Sequence, residues 1–416
     1  MPVPATPDPY ADPLAFGQRL RILRTRRGVT RDQLGGLVAR GGAWVKALET
    51  GRLGIPRFDL VLRLAEVLRV RDLTELTGDP SVPVPLFAGP GHPRLAAVRA
   101  AVDRLTFAGD REAPPTAQLT ARLERAWAAR HASAHHREVI GARLPELIHD
   151  AQLTVRQAAS AVERRAAQSA LSESYSLAQF FLAYQPDAAL LWRVAERGLV
   201  AAQESEHPHT IGVAAWLSAQ AHRDAGPPHS DAADAVTTAT LSYLEPLLPD
   251  ASPDLIAITG ALTFEAGHTA ARRTDTGTAW RSWDRAREIA SRLPEGYFHP
   301  VTSFGRAVMA AHAVTLAVEL RQGGEAVRQS AASDATPIPS RPRTARHRIE
   351  EARGYHLDGQ PDVALAVLER AHERAPETIA YNGYAKAIVL EEAQSKHAAR
   401  RRRASTLAVT LGLLAA

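Results

Sequence analysis

The chain has 416 residues, a formal net charge of +5 and no cysteine, so two or three domains are expected while disulfide frameworks, Cys-ligated zinc, iron–sulfur clusters and thiol nucleophiles are excluded. Apolar residues make up 45% and aromatics 6%, and alanine and leucine dominate the apolar set. Both favour helix, so the composition predicts an all-α protein with a sizeable core.

Residues 1–13 are proline-rich and lack the basic segment and apolar run of a secretion signal, and a disordered N-terminus is expected there. Over Leu14–Leu73 stand 13 Arg or Lys against 5 Asp or Glu, while the rest of the chain is close to neutral. A compact basic module on a neutral body is the electrostatic footprint of a polyanion binder. Within it, Phe16, Leu20 and Leu23 share one helix face. Thr30 and Gln33 have the spacing of a capping box, opening a second helix with Leu34, Leu37 and Val38 as its apolar stripe. Arg40, Gly41 and Gly42 turn the chain into a third helix, with Val45 and Leu48 inward, that ends near Gly51. Pro56 precedes a fourth stripe of Phe58, Val61, Leu62, Ala65 and Leu68. Two short helices across a tight turn in a small basic bundle make a helix-turn-helix.

The residues Leu23, Arg24, Arg27, Gly28, Val29, Thr30 and Leu34, then Trp44, Val45, Leu48, Glu49 and Gly51, then Leu64, Ala65 and Leu68 resemble the lambda-repressor-like (XRE-type) helix-turn-helix family. The resemblance implies a DNA-binding domain over 14–76, with the helix from Ala43 in the major groove of double-stranded DNA. It would place Gly41, Gly42, Ala43, Lys46 and Ala47 towards the bases. Arg31, Arg40, Trp44 and Arg52 would flank the phosphate backbone. Four of the five groove positions are glycine or alanine, so direct base readout rests on Lys46 and phosphate contacts supply most of the affinity.

Prolines between 78 and 93 and at 114–115 mark residues 77–117 as a linker with one helix. From Gln118 to Ser395 the chain is a train of alanine-rich helices. With Ala345 as position 1 of a tetratricopeptide (TPR) repeat, Ala352, Tyr355, Gly359, Ala364, Leu368, Ala371 and Pro376 fall at positions 8, 11, 15, 20, 24, 27 and 32. Weaker repeats are phased on Ala279, with Trp283 and Ala286, and on Ala326. The expected architecture is a TPR-like α-solenoid, with a non-repeating helical bundle as the alternative. The stretches Ala266–Arg273 with Ala279 and Trp280, and Thr302–Arg306 through Leu320, resemble actinobacterial regulators joining an XRE-type domain to TPR-like helices. That resemblance implies a transcription factor whose solenoid senses or dimerises. Residues 396–416 read as a basic and apolar tail, and its apolar run from Ser405 to Ala416 is shorter than the roughly 20 residues needed to span a bilayer. A cytoplasmic protein is expected.

The inner helix of a TPR repeat lines a concave groove, which puts Arg346, Ile349, Arg353, His356 and Leu357 there, together with Phe264, His268 and Arg272. Cations beside apolar groups suit an effector with a carboxylate or phosphate, such as a short peptide or small molecule. Ion pairing of these arginines with Glu350 and Glu351 is the alternative. His131, His135 and Glu138 share a helical spacing that could ligate a metal, but no second ligand motif accompanies them and HExxH is absent. No phosphate-binding glycine loop or nucleophile elbow occurs. The sequence therefore points to a homodimeric regulator without cofactor, metal or catalytic site. An interaction adaptor with a degenerate helix-turn-helix is the rival reading, and a metal-dependent enzyme is the least favoured.

Overall fold

The computed structural model describes residues 13–68, 70, 74–77, 91–107, 109, 111–225, 229–333 and 338–413. The expected disordered terminus up to residue 12, the proline-rich segment 78–90, the last residues 414–416 and the side chain of Phe58 lie outside the described residues. Among the described residues there is no β-strand. They fall into two compact units, one within Met1–Pro90 and the other within Gly91–Ala416.

The first unit contains α1 (Pro13–Arg26), α2 (Arg31–Leu37), α3 (Gly42–Glu49), α4 (Phe58–Val67) and α5 (Thr74–Thr77). Phe16, Leu20, Leu34, Val45, Leu48 and Leu64 fill its core. Two expected core positions differ. Leu37 is 60% exposed, because α2 ends there and Val38, in the turn, takes the inward place. Leu62 is 37% exposed, because the buried face of α4 runs through Val61, Leu64, Ala65 and Leu68 at i, i+3, i+4 and i+7.

The second unit begins with α6 (Leu95–Asp103), α7 (Thr116–Ala132), α8 (His136–Gln157), α9 (Ala161–Leu182), α10 (Ala188–Ser205), α11 (Pro208–Asp224) and α12 (Ser230–Leu244). It continues with α13 (Pro253–Arg272), α14 (Thr276–Ser291), α15 (Met309–Glu319), α16 (Gly323–Ser333), α17 (Arg341–Leu357) and α18 (Pro361–Arg374). The chain closes with α19 (Pro376–Tyr381), α20 (Gly383–Glu392) and α21 (Ala398–Thr410). From α7 to α18 consecutive helices pair as hairpins, and the first helix of each hairpin also packs on the first helix of the next. This two-level neighbour pattern defines a TPR-like α-solenoid. The inner row is α7, α9, α11, α13, α15 and α17, and α17 packs against α7, so the row closes into a ring.

Two boundaries depart from expectation. Helix α6 is part of the second unit: Val98 and Val102 are fully buried in its core, and Arg193 pairs with Asp103. The C-terminal segment is also integrated, since α21 buries Ala404, Leu407 and Ala408, while Arg400 and Arg403 pair with Asp362 and Glu369 on α18.

Small residues set the helix spacing. Ala352 and Ala364, the expected small positions of the best repeat, are fully buried, and Ala279 and Ala326 are equally so. Gly260 on α13 lies so close to Phe304 that a Cβ there would stand 2.3 Å from the ring. Gly260→Ala should therefore destabilise the chain by about 1–3 kcal/mol through overpacking, read as a lower denaturant midpoint in urea unfolding.

Candidate nucleic-acid interface and ligand cavity

The helix-turn-helix is held by three local devices. Thr30 caps α2: its hydroxyl accepts from the Gln33 amide at 3.2 Å, and the Gln33 side chain accepts from the Thr30 amide at 2.8 Å. The turn passes through Ala39 in the left-handed region, φ 54°, a conformation that glycine adopts more readily than alanine. Gly35 faces the far side of that turn, where a Cβ would meet the Arg40 carbonyl oxygen at 2.7 Å. The third device is Glu49, buried at the end of α3. Arg24 donates to it at 2.5 Å and Arg31 at 2.7 Å, and Arg24 also donates to the Val29 carbonyl at 2.8 Å. One carboxylate thus joins the ends of α1 and α3 to the start of α2. Burial pushes its pKa up, but the hydrogen bonds and charges of the two arginines outweigh this and hold it below the usual carboxylate range.

On α3, Gly41, Ala43 and Lys46 are exposed and Gly42 and Ala47 half-buried, with Arg40 and Arg52 exposed at its two ends. Three expected contacts carry structural duties as well. Arg31 is tied through Nε to Glu49, although its side chain remains 37% exposed. Trp44 packs against the core of the unit, with the Arg40 guanidinium 6.0 Å from its ring. Gly42 is needed for space, because a Cβ there would collide with the Asp32 carboxylate.

The ring of inner helices in the second unit encloses a cavity of about 620 Å³, within the usual size of small-molecule sites. Phe264, His268, Arg272 and Arg346 all line it. Arg353 stands behind this wall, donating to Glu319 at 2.7 Å and Glu350 at 2.6 Å, with its guanidinium 3.8 Å from the Tyr384 ring centre. Arg346 pairs with Glu350 at 2.5 Å. His356 points elsewhere, 3.4 Å from Glu391 and 3.8 Å from Glu392. Ile349 is buried in an apolar cluster and Leu357 is 40% exposed at the helix end. Burial and the nearby cations hold His268 and His312 well below the ordinary imidazole range, so both are neutral.

Sequence reasoning missed Arg130, Arg137 and Arg343, which also line the cavity. Arg343 precedes Arg346 by one helical turn, and extending that stripe backwards would have found it. Arg130 and Arg137 lie on α7 and α8, outside any recognised repeat. The three expected metal-spacing residues do not converge. His131 bonds Ser340 at 2.8 Å and the Pro300 carbonyl at 2.7 Å, His135 stands at the N-terminal boundary of α8 without a side-chain capping bond, and Glu138 pairs with Arg94.

Residues 15–77 match a family model described as a helix-turn-helix domain. The match agrees with the XRE-type resemblance of this unit. No match is found among curated proteins. Among solved structures, the chain is similar to Bacillus thuringiensis PlcR, whose crystal structure is of a complex with the peptide PapR7 and DNA. Identity is 11%, coverage is 85% of this chain and 99% of that one, and the TM-score is 0.26. That score does not establish a common arrangement of helices.

The Glu49 bridge gives a stability test. Its contribution is present above the unfolded carboxyl pKa, about 4.3, and is lost as pH falls through the lower folded value. Glu49→Gln should cost about 3 kcal/mol at neutral pH. It should also flatten the acid limb of stability below about pH 5, measured by urea unfolding at several pH values.

Proposed function

We propose that the protein is a DNA-binding transcriptional regulator that acts as a homodimer in the cytoplasm. Its helix-turn-helix grips duplex DNA, and its helical unit dimerises and binds a peptide or small-molecule effector. The observation that carries this reading is the presentation of α3. Its groove face is open to solvent, Lys46 projects from it, and Arg40 and Arg52 stand at its ends within the segment that holds the charge excess of the chain. Phosphate contacts from the arginines give affinity and register, and Lys46 gives base discrimination. A dimer would set two recognition helices about 34 Å apart, one duplex turn. Among the described residues no helix is long and apolar enough to cross a membrane.

Fluorescence anisotropy of the full chain on labelled duplexes tests this reading. Binding should weaken steeply with salt, and Arg40→Ala and Arg52→Ala should weaken it on all sequences alike. Lys46→Ala should instead erode discrimination between specific and random DNA by about 1–3 kcal/mol. No affinity for any duplex at low salt would favour the interaction adaptor. Sedimentation equilibrium should give twice the chain mass of 44.9 kDa; a monomer would remove the dimer from the proposal.

A further inference from the structure

We propose that the cavity of the second unit binds a small, doubly charged organic anion with an aromatic or apolar body, its anionic group seated among Arg130, Arg137 and Arg343. The proposal rests on reading the helical unit as the effector-binding part of the protein, and it supplies the ligand chemistry.

Six arginines and four carboxylates line the cavity; with Arg353 and Glu377, whose charges act on this wall, the group is seven arginines against five carboxylates, and with the histidines neutral it carries two positive charges in excess. All four carboxylates are committed. Glu265 pairs with Arg223, and Asp224 with Arg223 and Arg272. Glu319 serves Arg272 and Arg353, and Glu350 serves Arg346 and Arg353. Arg130, Arg137 and Arg343 have no carboxylate within ion-pair distance among the described residues. Glu377, whose charge acts on Arg137, accepts from the backbone amides of Arg137 at 2.5 Å and Glu138 at 3.3 Å rather than from its guanidinium.

The neutral partners of the three arginines leave donors open. Arg130 stacks on Phe180, 4.2 Å from the ring centre. Arg137 gives Nη1 to the Phe180 and Phe181 carbonyls, each at 2.8 Å. Arg343 has Nη2 3.3 Å from His312 Nδ1. The Nε of each is buried without a hydrogen-bond partner, and Arg130 and Arg137 are only 7% and 4% exposed. Burial is the main cause that lowers the Arg130 and Arg343 pKa values to about 9 and about 10, aided by the charges of Arg137 and Arg343 on Arg130 and of Arg346 on Arg343. Buried cations in this state are satisfied by charge-assisted bonds to an incoming anion, and a dianion matches the excess charge. Phe180, Trp216, Phe264 and Tyr384 supply aromatic surface around them, which selects a ligand with an apolar body. The three arginines belong to α7, α8 and α17, so the bound anion would bridge the two ends of the ring.

The test is calorimetric titration of the full chain with phenyl phosphate, phthalate, benzoate and inorganic phosphate. At least one aromatic dianion should bind one per chain, about tenfold or more tighter than benzoate or inorganic phosphate. The phthalate arm separates a dicarboxylate from a phosphate ester. Arg130→Met and Arg343→Met should each weaken that binding about tenfold. Both should keep or raise the unfolding midpoint of the ligand-free protein, because each removes an unpaired buried charge; a purely structural arginine would lower it. Arg374→Met, an exposed arginine outside this cavity, should change nothing. The proposal is overturned if neither dianion binds at millimolar concentration, or if the Met variants bind as wild type. Anion binding without DNA binding would sink the regulator reading and leave the site standing; DNA binding without anion binding would sink the site alone.

Discussion

From α11 to α17 adjacent inner helices of the solenoid are laced by ion pairs, and the alignment of these helices depends on this lacing. Arg223 of α11 meets Glu265 of α13, Arg272 of α13 meets Glu319 of α15, and Glu319 in turn meets Arg353 of α17. Glu350, 2% exposed, sits between Arg346 and Arg353, and its pKa is lowered by their charges against the opposing effect of burial. Such pairs contribute little net stability, but removing one partner is costly. They therefore fix how successive helices are aligned along the ring. The lacing stops at the contact between α17 and α7, where arginines face one another without acids.

The close approach that makes these pairs possible comes from alanine and glycine. Alanine-to-alanine contacts let helices approach without large side chains between them. The same small residues leave little apolar surface per helix. Larger side chains such as Trp127, Phe181 and Phe304 fill the core where hairpins meet. The first unit solves the same problem differently, with leucines and valines inside and one carboxylate tying three helix ends.

Helix content, the capping box at Thr30 and the α17–α18 hairpin were legible in the sequence because each depends on local spacing. Residues 3 or 4 apart on a helix share a face whatever surrounds them. For that reason Phe264, His268 and Arg272 were correctly grouped on one helix, and Arg346 with Arg353 on another. Destinations were not legible. His356 continues the Arg346–Arg353 stripe but meets Glu391 and Glu392 of α20, which lies far along the chain. The glycine at 42 read as a weak base-reading position, whereas its role depends on Asp32, ten residues earlier. Arg130 and Arg137 could not be assigned because ring closure, a long-range event, is what brings them opposite Arg343.

That closure also shapes how the chain folds. A solenoid adds hairpins one at a time, each on its neighbour, so most of its contacts are local and form fast. The bond between His131 and Ser340 joins residues 209 positions apart, and the one from the Arg137 amide to Glu377 joins residues 240 apart. During synthesis α7 packs early on α8 and α9, where Trp127 and Arg130 meet Phe180, while its contact with α17 waits for residues more than 200 positions later. Folding of the second unit thus includes late non-local pairings whose loop-closure cost is met only after the hairpins have formed. A nascent chain halted before α17 lacks the partners that close the ring on α7, so the residues from Arg341 onward complete the surface that the first hairpin presents.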